Sequence, residues 1–248
     1  MWFKSIYLKT LRDYRVAILA WGLGIGGMVM GTMVSFRAVL DTPQAADSLI
    51  KMAPSFNWFA EPIAITTPAG YAFWKMGPLL LALCVWGLLA GSRTLRGEEE
   101  RGALDMLLSL PRGRMRVALE KGAALLTALV LIGLITGLLA LAGGRTADAG
   151  FGLGEAVLFG LNIALIAAFF AALALLIAQF TQHRSVAAGV TGALLVIAFA
   201  MDSTGRTVAG ASWLSAISPV HYFNRSKPLI TSYGTNFAAQ LLLSLIHI

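Results

Sequence analysis

The sequence predicts an all-α membrane protein of six transmembrane helices, the sixth truncated, preceded by a helix that lies on the membrane surface. Three observations carry this. Of 248 residues, 58% are hydrophobic and only 12% charged, where a soluble domain carries about 25% charged residues. The charges gather in short clusters between long apolar runs. Five windows free of Asp, Glu, Lys and Arg come close to or exceed the roughly 20 residues needed to cross a bilayer core about 30 Å thick. Disorder, a disulfide scaffold and almost any soluble fold of this size are excluded, and the single Cys84 allows no intrachain disulfide. A formal charge of +7 would elsewhere suggest nucleic acid. Here its placement between apolar runs points to a lipid bilayer, and no nucleic-acid partner is expected.

The whole chain, 1–248, reads as a single transmembrane domain. In residues 1–15, Trp2, Phe3, Ile6, Tyr7, Leu11 and Tyr14 recur at helical spacing, interleaved with Lys4, Lys9, Arg12 and Arg15. Such a helix lies in the headgroup plane with its rings buried and its cations toward anionic lipid. The alternative is a disordered basic leader that only enforces topology. The first span covers about 16–36. It is too long for a signal-peptide core of about 7–15 residues and lacks a small-residue cleavage pattern, so a retained anchor is expected. Gly22, Gly24 and Gly27 form a GxGxxG there. Because it sits inside an apolar span rather than after a strand, it is no dinucleotide site. Gly22/Gly26 and Gly27/Gly31 have the small-xxx-small spacing that lets helices approach closely, either in a dimer interface or within one subunit.

The second span, about 74–92, gains length from the uncharged stretch before Lys75. The third covers 122–144, the fourth 156–182, and the fifth 185–203, lengthened by small polar residues after Asp202. The run over 236–248 reaches only about 18 Å as a helix, so a span cut short is expected. With a cytoplasmic N-terminus, alternating spans place twelve of the nineteen lysines and arginines inside, as the positive-inside bias requires. Trp58, Tyr71, Trp74, Trp213, Tyr222 and Tyr233 then fall near the outer interface.

Twelve of the thirty-one charged residues fall in the loop Arg93–Lys121, RTLRGEEERGALDMLLSLPRGRMRVALEK. Glu98, Glu99 and Glu100 open a helix where acids suit the positive end of its dipole. Ala103, Leu104, Leu107, Leu108 and Leu110 form an apolar face, and Pro111, Arg112, Gly113 and Arg114 turn the chain into the third span. A leucine stripe must pack on something: the chain's own membrane domain or a partner.

At this point the residues resemble a known family. The stretch GEEERGALDMLLSLPRGRMRVALEK is similar to the cytoplasmic loop of type-2 ATP-binding-cassette (ABC) exporter permeases: an acidic pair, a glycine, a leucine-rich turn, Ser-x-Pro with a basic residue, and a Lys at the third span. KTLRDYRVAILAWGLG, TTPAGY and SPVHYFNRSKPL extend the likeness over nearly the whole chain, closest to bacterial multidrug or polyketide-antibiotic exporters. The resemblance implies a bacterial plasma-membrane permease in which two six-span halves, from a homodimer or a longer chain, enclose the path. The loop would be the coupling helix seated in a nucleotide-binding ATPase subunit, through Glu98, Glu99, Glu100, Gly102, Leu104, Leu107, Leu108 and Pro111. Arg114 and Lys121 would anchor it at the headgroups. ATP and magnesium would bind the partner, and no cofactor is expected here, since the chain lacks a GxxxxGK[ST] loop.

Enzyme readings fare poorly, with no HExxH or GxSxG and three scattered histidines: His183 in a tight turn beside Arg184, His221 between Pro219 and Pro228, and His247. None of the five windows holds an acid or His of the kind that serves as a proton or cation relay, and Asn162 and Gln179 read as helix bridges. The expected activity is therefore ATP-driven export of a hydrophobic drug, antibiotic or lipid. The alternatives are a non-transporting membrane anchor or sensor for a cytoplasmic ATPase, and an ion-coupled carrier.

Overall fold

A computed structural model describes residues 5–39, 43–58, 60–94, 97, 100, 114–225 and 228–230. These contain helices and no strand. The elements are α1 (Ile6–Asp13), α2 (Arg15–Val39), α3 (Pro43–Met52) with a 3-10 turn (Ala53–Phe56), α4 (Pro68–Thr94) and α5 (Arg114–Thr146). They are followed by α6 (Leu153–Phe180), α7 (Arg184–Thr207), α8 (Ser212–Ile217) and α9 (Pro219–Arg225).

Among the described residues four helices, α2, α5, α6 and α7, are long and apolar enough to cross a membrane, and α4, bent by 49°, makes a fifth if its halves cross as one span. The sixth expected span lies outside the described residues. The helices overrun the expected spans. The third span's helix begins at Arg114 rather than Gly122, and the fifth runs on to Thr207. The apolar window marks what must sit in hydrocarbon, whereas helical hydrogen bonding continues into the charged flanks until a cap or breaker stops it.

The main packing partners are α2 with α5, α5 with α6 and α6 with α4; α2 also meets α4, and α7 lies against α4 and α6. Large side chains fill the centre: Met33, Leu83, Leu129, Ile132, Phe159 and Phe170 are each under 2% exposed. Close crossing depends on glycine. A Cβ at Gly133 would strike the carbonyl of Gly160, one at Gly160 would strike that of Gly133, and one at Gly91 would strike that of Ala171. In hydrocarbon, side-chain burial gives little net drive between helices, so close backbone approach is the main source of their attraction.

The first-span glycines divide between two surfaces. Gly22 and Gly26 face α5, where an added Cβ would come 3.0 Å from Ile135 and 2.6 Å from Leu139; Gly24, Gly27 and Gly31 have nothing within 4 Å of that position. The open side continues through Leu23 and Met28, both more than half exposed.

Candidate functional site: the loop ends and the buried ion cluster

Two groups of polar side chains occupy opposite ends of the bundle. At the end that holds the N-terminus, both flanks of the long loop grip other helices through a carboxylate. Glu120, in the first turns of α5, accepts hydrogen bonds from the backbone N–H groups of Ile6 at 3.0 Å and Tyr7 at 3.2 Å. Ser5 Oγ donates to the same oxygen at 3.4 Å. A helix start leaves its first N–H groups without intrahelical partners. Ser5 makes no side-chain cap bond to its own helix, so Glu120 supplies the cap in trans. Tyr7 Oη donates to Thr127 Oγ1 at 3.0 Å, and Tyr14 meets Trp86 edge-to-face at 6.0 Å. Helix α1 thus rests on α5, and its C-cap Tyr14 on α4.

Arg116 Nε donates to Glu120 at 3.0 Å. That bond, aided by the N–H groups of Tyr7 and Ile6 against the opposing effect of burial, holds the Glu120 carboxyl below the ordinary glutamate range. A depressed carboxyl stabilises the fold above its unfolded value of about 4.3, and the contribution disappears as pH falls through the lower folded value. The protection of residues 6–13 against hydrogen exchange, taken relative to the intrinsic rate at each pH, is therefore expected to be constant between pH 7 and 5 and to fall below about 4. Glu120→Gln should lower that protection at neutral pH by loosening a cap of roughly 1 kcal/mol.

At the loop's other flank, Glu100 Oε1 accepts a bond from the backbone N–H of Arg184 at 2.8 Å, Arg184 Nε lies 3.3 Å from Oε2, and His183 Nδ1 lies 4.0 Å from Oε1. Arg184 is the first residue of α7 and its N-cap His183 makes no cap bond, so this helix too is capped by a loop carboxylate. Gly97 lies beside the same turn, with Arg184 Cδ 3.8 Å from the position of an added Cβ.

Of the loop residues expected to meet an ATPase, only Glu100 and the backbone of Arg114, which opens α5, are described. Glu98, Glu99, Gly102, Leu104, Leu107, Leu108 and Pro111 lie outside the described residues. Lys121, expected at the headgroups, is 4% exposed and packs inward on α5.

At the opposite end a cluster forms that the sequence did not announce. Asp202, fully buried on α7, accepts from Arg206 Nε at 3.0 Å and from Asn224 Nδ2 of α9 at 2.6 Å, with His221 Nδ1 at 3.5 Å. Arg206 Nη1 donates to the Asn57 carbonyl at 2.8 Å, and Ser203 Oγ to that of Trp58 at 2.8 Å. The cluster thereby joins α7, α9 and the segment after the 3-10 turn. Its one legible signal was the i,i+4 spacing of Asp202 and Arg206.

Several long apolar helices, packed through glycine and joined by polar clusters at both ends, define a multi-pass α-helical membrane protein. The family model described as "ABC-2 family transporter protein" matches residues 5–244, and no match to an individual curated protein accompanies it. The chain belongs to the ABC-2 transporter family. It is a membrane permease of that type, a transport subunit.

Proposed function

We propose that this chain is the membrane-spanning half of an exporter that moves a hydrophobic drug, antibiotic or lipid across a bacterial plasma membrane, powered by ATP hydrolysis in a separate subunit. The observation that carries the reading is the family match over residues 5–244. The carboxylate ties at both ends of the loop support it, because they let force on the loop reach α1, α5 and α7. The N-terminal face is cytoplasmic by the positive-inside bias, and a second permease half completes the path. An apolar groove of about 450 Å³ lies between α5 and α6 near the same face, lined by Met115, Leu119, Leu126, Leu175, Leu176 and Gln179. Its size and apolar lining fit a hydrophobic cargo.

In the mechanism, the loop's leucine stripe seats in the ATPase, and closure of the ATPase pair displaces the loop. The helices capped by Glu100 and Glu120 follow, and the path turns from one face to the other. Leu104→Asp places a charge in the apolar contact. It is expected to abolish co-purification with the ATPase encoded beside this chain and, with it, ATP-dependent efflux in vesicles. Intact docking and transport in that variant would overturn the coupling role.

A second reading has one observation in its favour. Asp202 is a buried carboxylate on a spanning helix, the kind of group that ion-coupled carriers use. Its pairing with Arg206 weighs against a relay. Flux that ignores ATP and collapses with the ion gradient would establish the carrier, and docking without flux would establish a non-transporting anchor.

A further inference from the structure

We propose that α7 is the rod that carries movement of the loop across the membrane to the Asp202 cluster, with Arg184 as the positioning residue at its driven end. The inference rests on the exporter reading and adds the route by which force travels.

Three features of α7 converge on this role. Its 24 residues span about 36 Å at 1.5 Å per residue, enough to join the two faces. It is also the most lightly packed of α2, α5, α6 and α7. Only 28% of its apolar window is buried, against 39, 50 and 56% for α2, α5 and α6, and Val190, Leu194, Val196 and Ile197 are exposed.

The third feature is where its polar ties fall. Among the described residues, no hydrogen bond or ion pair links 185–197 to another element. Thr191, the buried hydroxyl in that stretch, donates to Ala187 of the same helix. The ties lie at the ends. Glu100 holds the start, through the Arg184 backbone N–H and guanidinium. At the far end, Ser218 Oγ donates to the Ala198 carbonyl at 2.6 Å, Trp58 meets Phe199 edge-to-face at 5.4 Å, and Asp202, Ser203 and Arg206 bind Asn224, Trp58 and Asn57.

A helix is stiff along its axis because each turn is bonded to the next. One that is pinned at both ends and loosely packed between them moves as a unit. Displacing Glu100 therefore moves Arg184, and with it the far-end segment 57–58 and α9. Those groups are bonded to α7 by side chains that cannot release without leaving buried charge unpaired.

The test uses the full permease–ATPase complex. Cys84→Ala removes the native thiol, and Val208→Cys places a reporter just past α7 at an exposed position, 52% accessible. The rate of labelling by a membrane-impermeant maleimide is measured with and without ATP plus vanadate. A severalfold ATP-dependent change is expected in the parent. It should be weakened severalfold in the double variant His183→Ala, Arg184→Ala, where only the backbone N–H bond of residue 184 to Glu100 remains, with ATPase co-purification and ATP hydrolysis retained, and recovered with Arg184→Lys. An unchanged response in the double variant overturns the rod. So does a parent that exports cargo without any change at Val208→Cys, which leaves the exporter reading standing. Failure of the ATPase to bind the parent sinks both.

Discussion

Asp202→Ala is expected to destabilise the protein by about 3–5 kcal/mol, the range for removing one partner of a buried ion pair. The Asp202 side chain is fully buried and that of Arg206 is 11% exposed, so neither can exchange its partner for water. Deleting the carboxylate leaves the guanidinium uncompensated and removes the acceptor of Asn224. An isolated buried charge is far costlier than a buried pair, and that asymmetry gives the prediction its size. Arg206→Ala should destabilise comparably, orphaning Asp202 and releasing the Asn57 carbonyl. The double variant Asp202→Leu, Arg206→Met should recover much of the loss, because an apolar pair of similar bulk replaces the ions without unpaired charge. Unfolding midpoints in detergent for the two alanine singles and the Asp202→Ala, Arg206→Ala double make a double-mutant cycle, with the Leu/Met variant measured beside it. Additive losses would mean that the pair is not coupled as described.

What was legible in the sequence follows from which interactions are local. Uninterrupted apolar windows located the spanning helices, since a bilayer imposes a length requirement that can be read in one dimension. The helix ends were harder to place, because α5 starts at Arg114 and α7 reaches Thr207 on hydrogen bonds that do not depend on hydropathy. The loop's charge density marked the region from which Glu100 and Glu120 reach out. Their partners, Arg184 and Ile6–Tyr7, lie 84 and more than 110 positions away, and no spacing rule connects them.

Asp202 illustrates the same limit. Its i,i+4 neighbour Arg206 was readable, whereas the bonds of Arg206 to Asn57 and of Asp202 to Asn224 come from the way three elements converge. The glycines of the first span show how a motif can be real while its use stays open: Gly22 and Gly26 serve packing on α5 within the subunit, and Gly27 and Gly31 face outward. The glycines on which the α5–α6 crossing depends carry no such local signal, because Gly133 gains meaning only once Gly160 is known to oppose it.

Gly160→Leu is expected to prevent the permease from accumulating as a folded protein. At the α5–α6 crossing, Gly133 and Gly160 each leave room for the other's carbonyl, and a Cβ at either glycine falls on a backbone oxygen of the opposing helix. One turn along, a Cβ at Gly137 would strike the carbonyl of Ala156, so the crossing is tight over two turns. Backbone atoms of two long helices cannot swing aside as a side-chain tip can, and the helices must separate. Overpacking a core costs about 1–3 kcal/mol where side chains can adjust. Here the adjustment would also open the contacts of Phe159 and Ile132 along the interface. Gly160→Ala tests the steric argument most cleanly, because alanine is the better helix former by about 1 kcal/mol and should stabilise wherever space permits. At Gly189 and Gly192 of α7 an added Cβ meets nothing within 4 Å, so alanine there should leave the unfolding midpoint unchanged or raise it. A lower midpoint for Gly160→Ala together with neutral or raised midpoints for Gly189→Ala and Gly192→Ala would separate helix approach from helix propensity. Equal behaviour at all three sites would refute the close crossing.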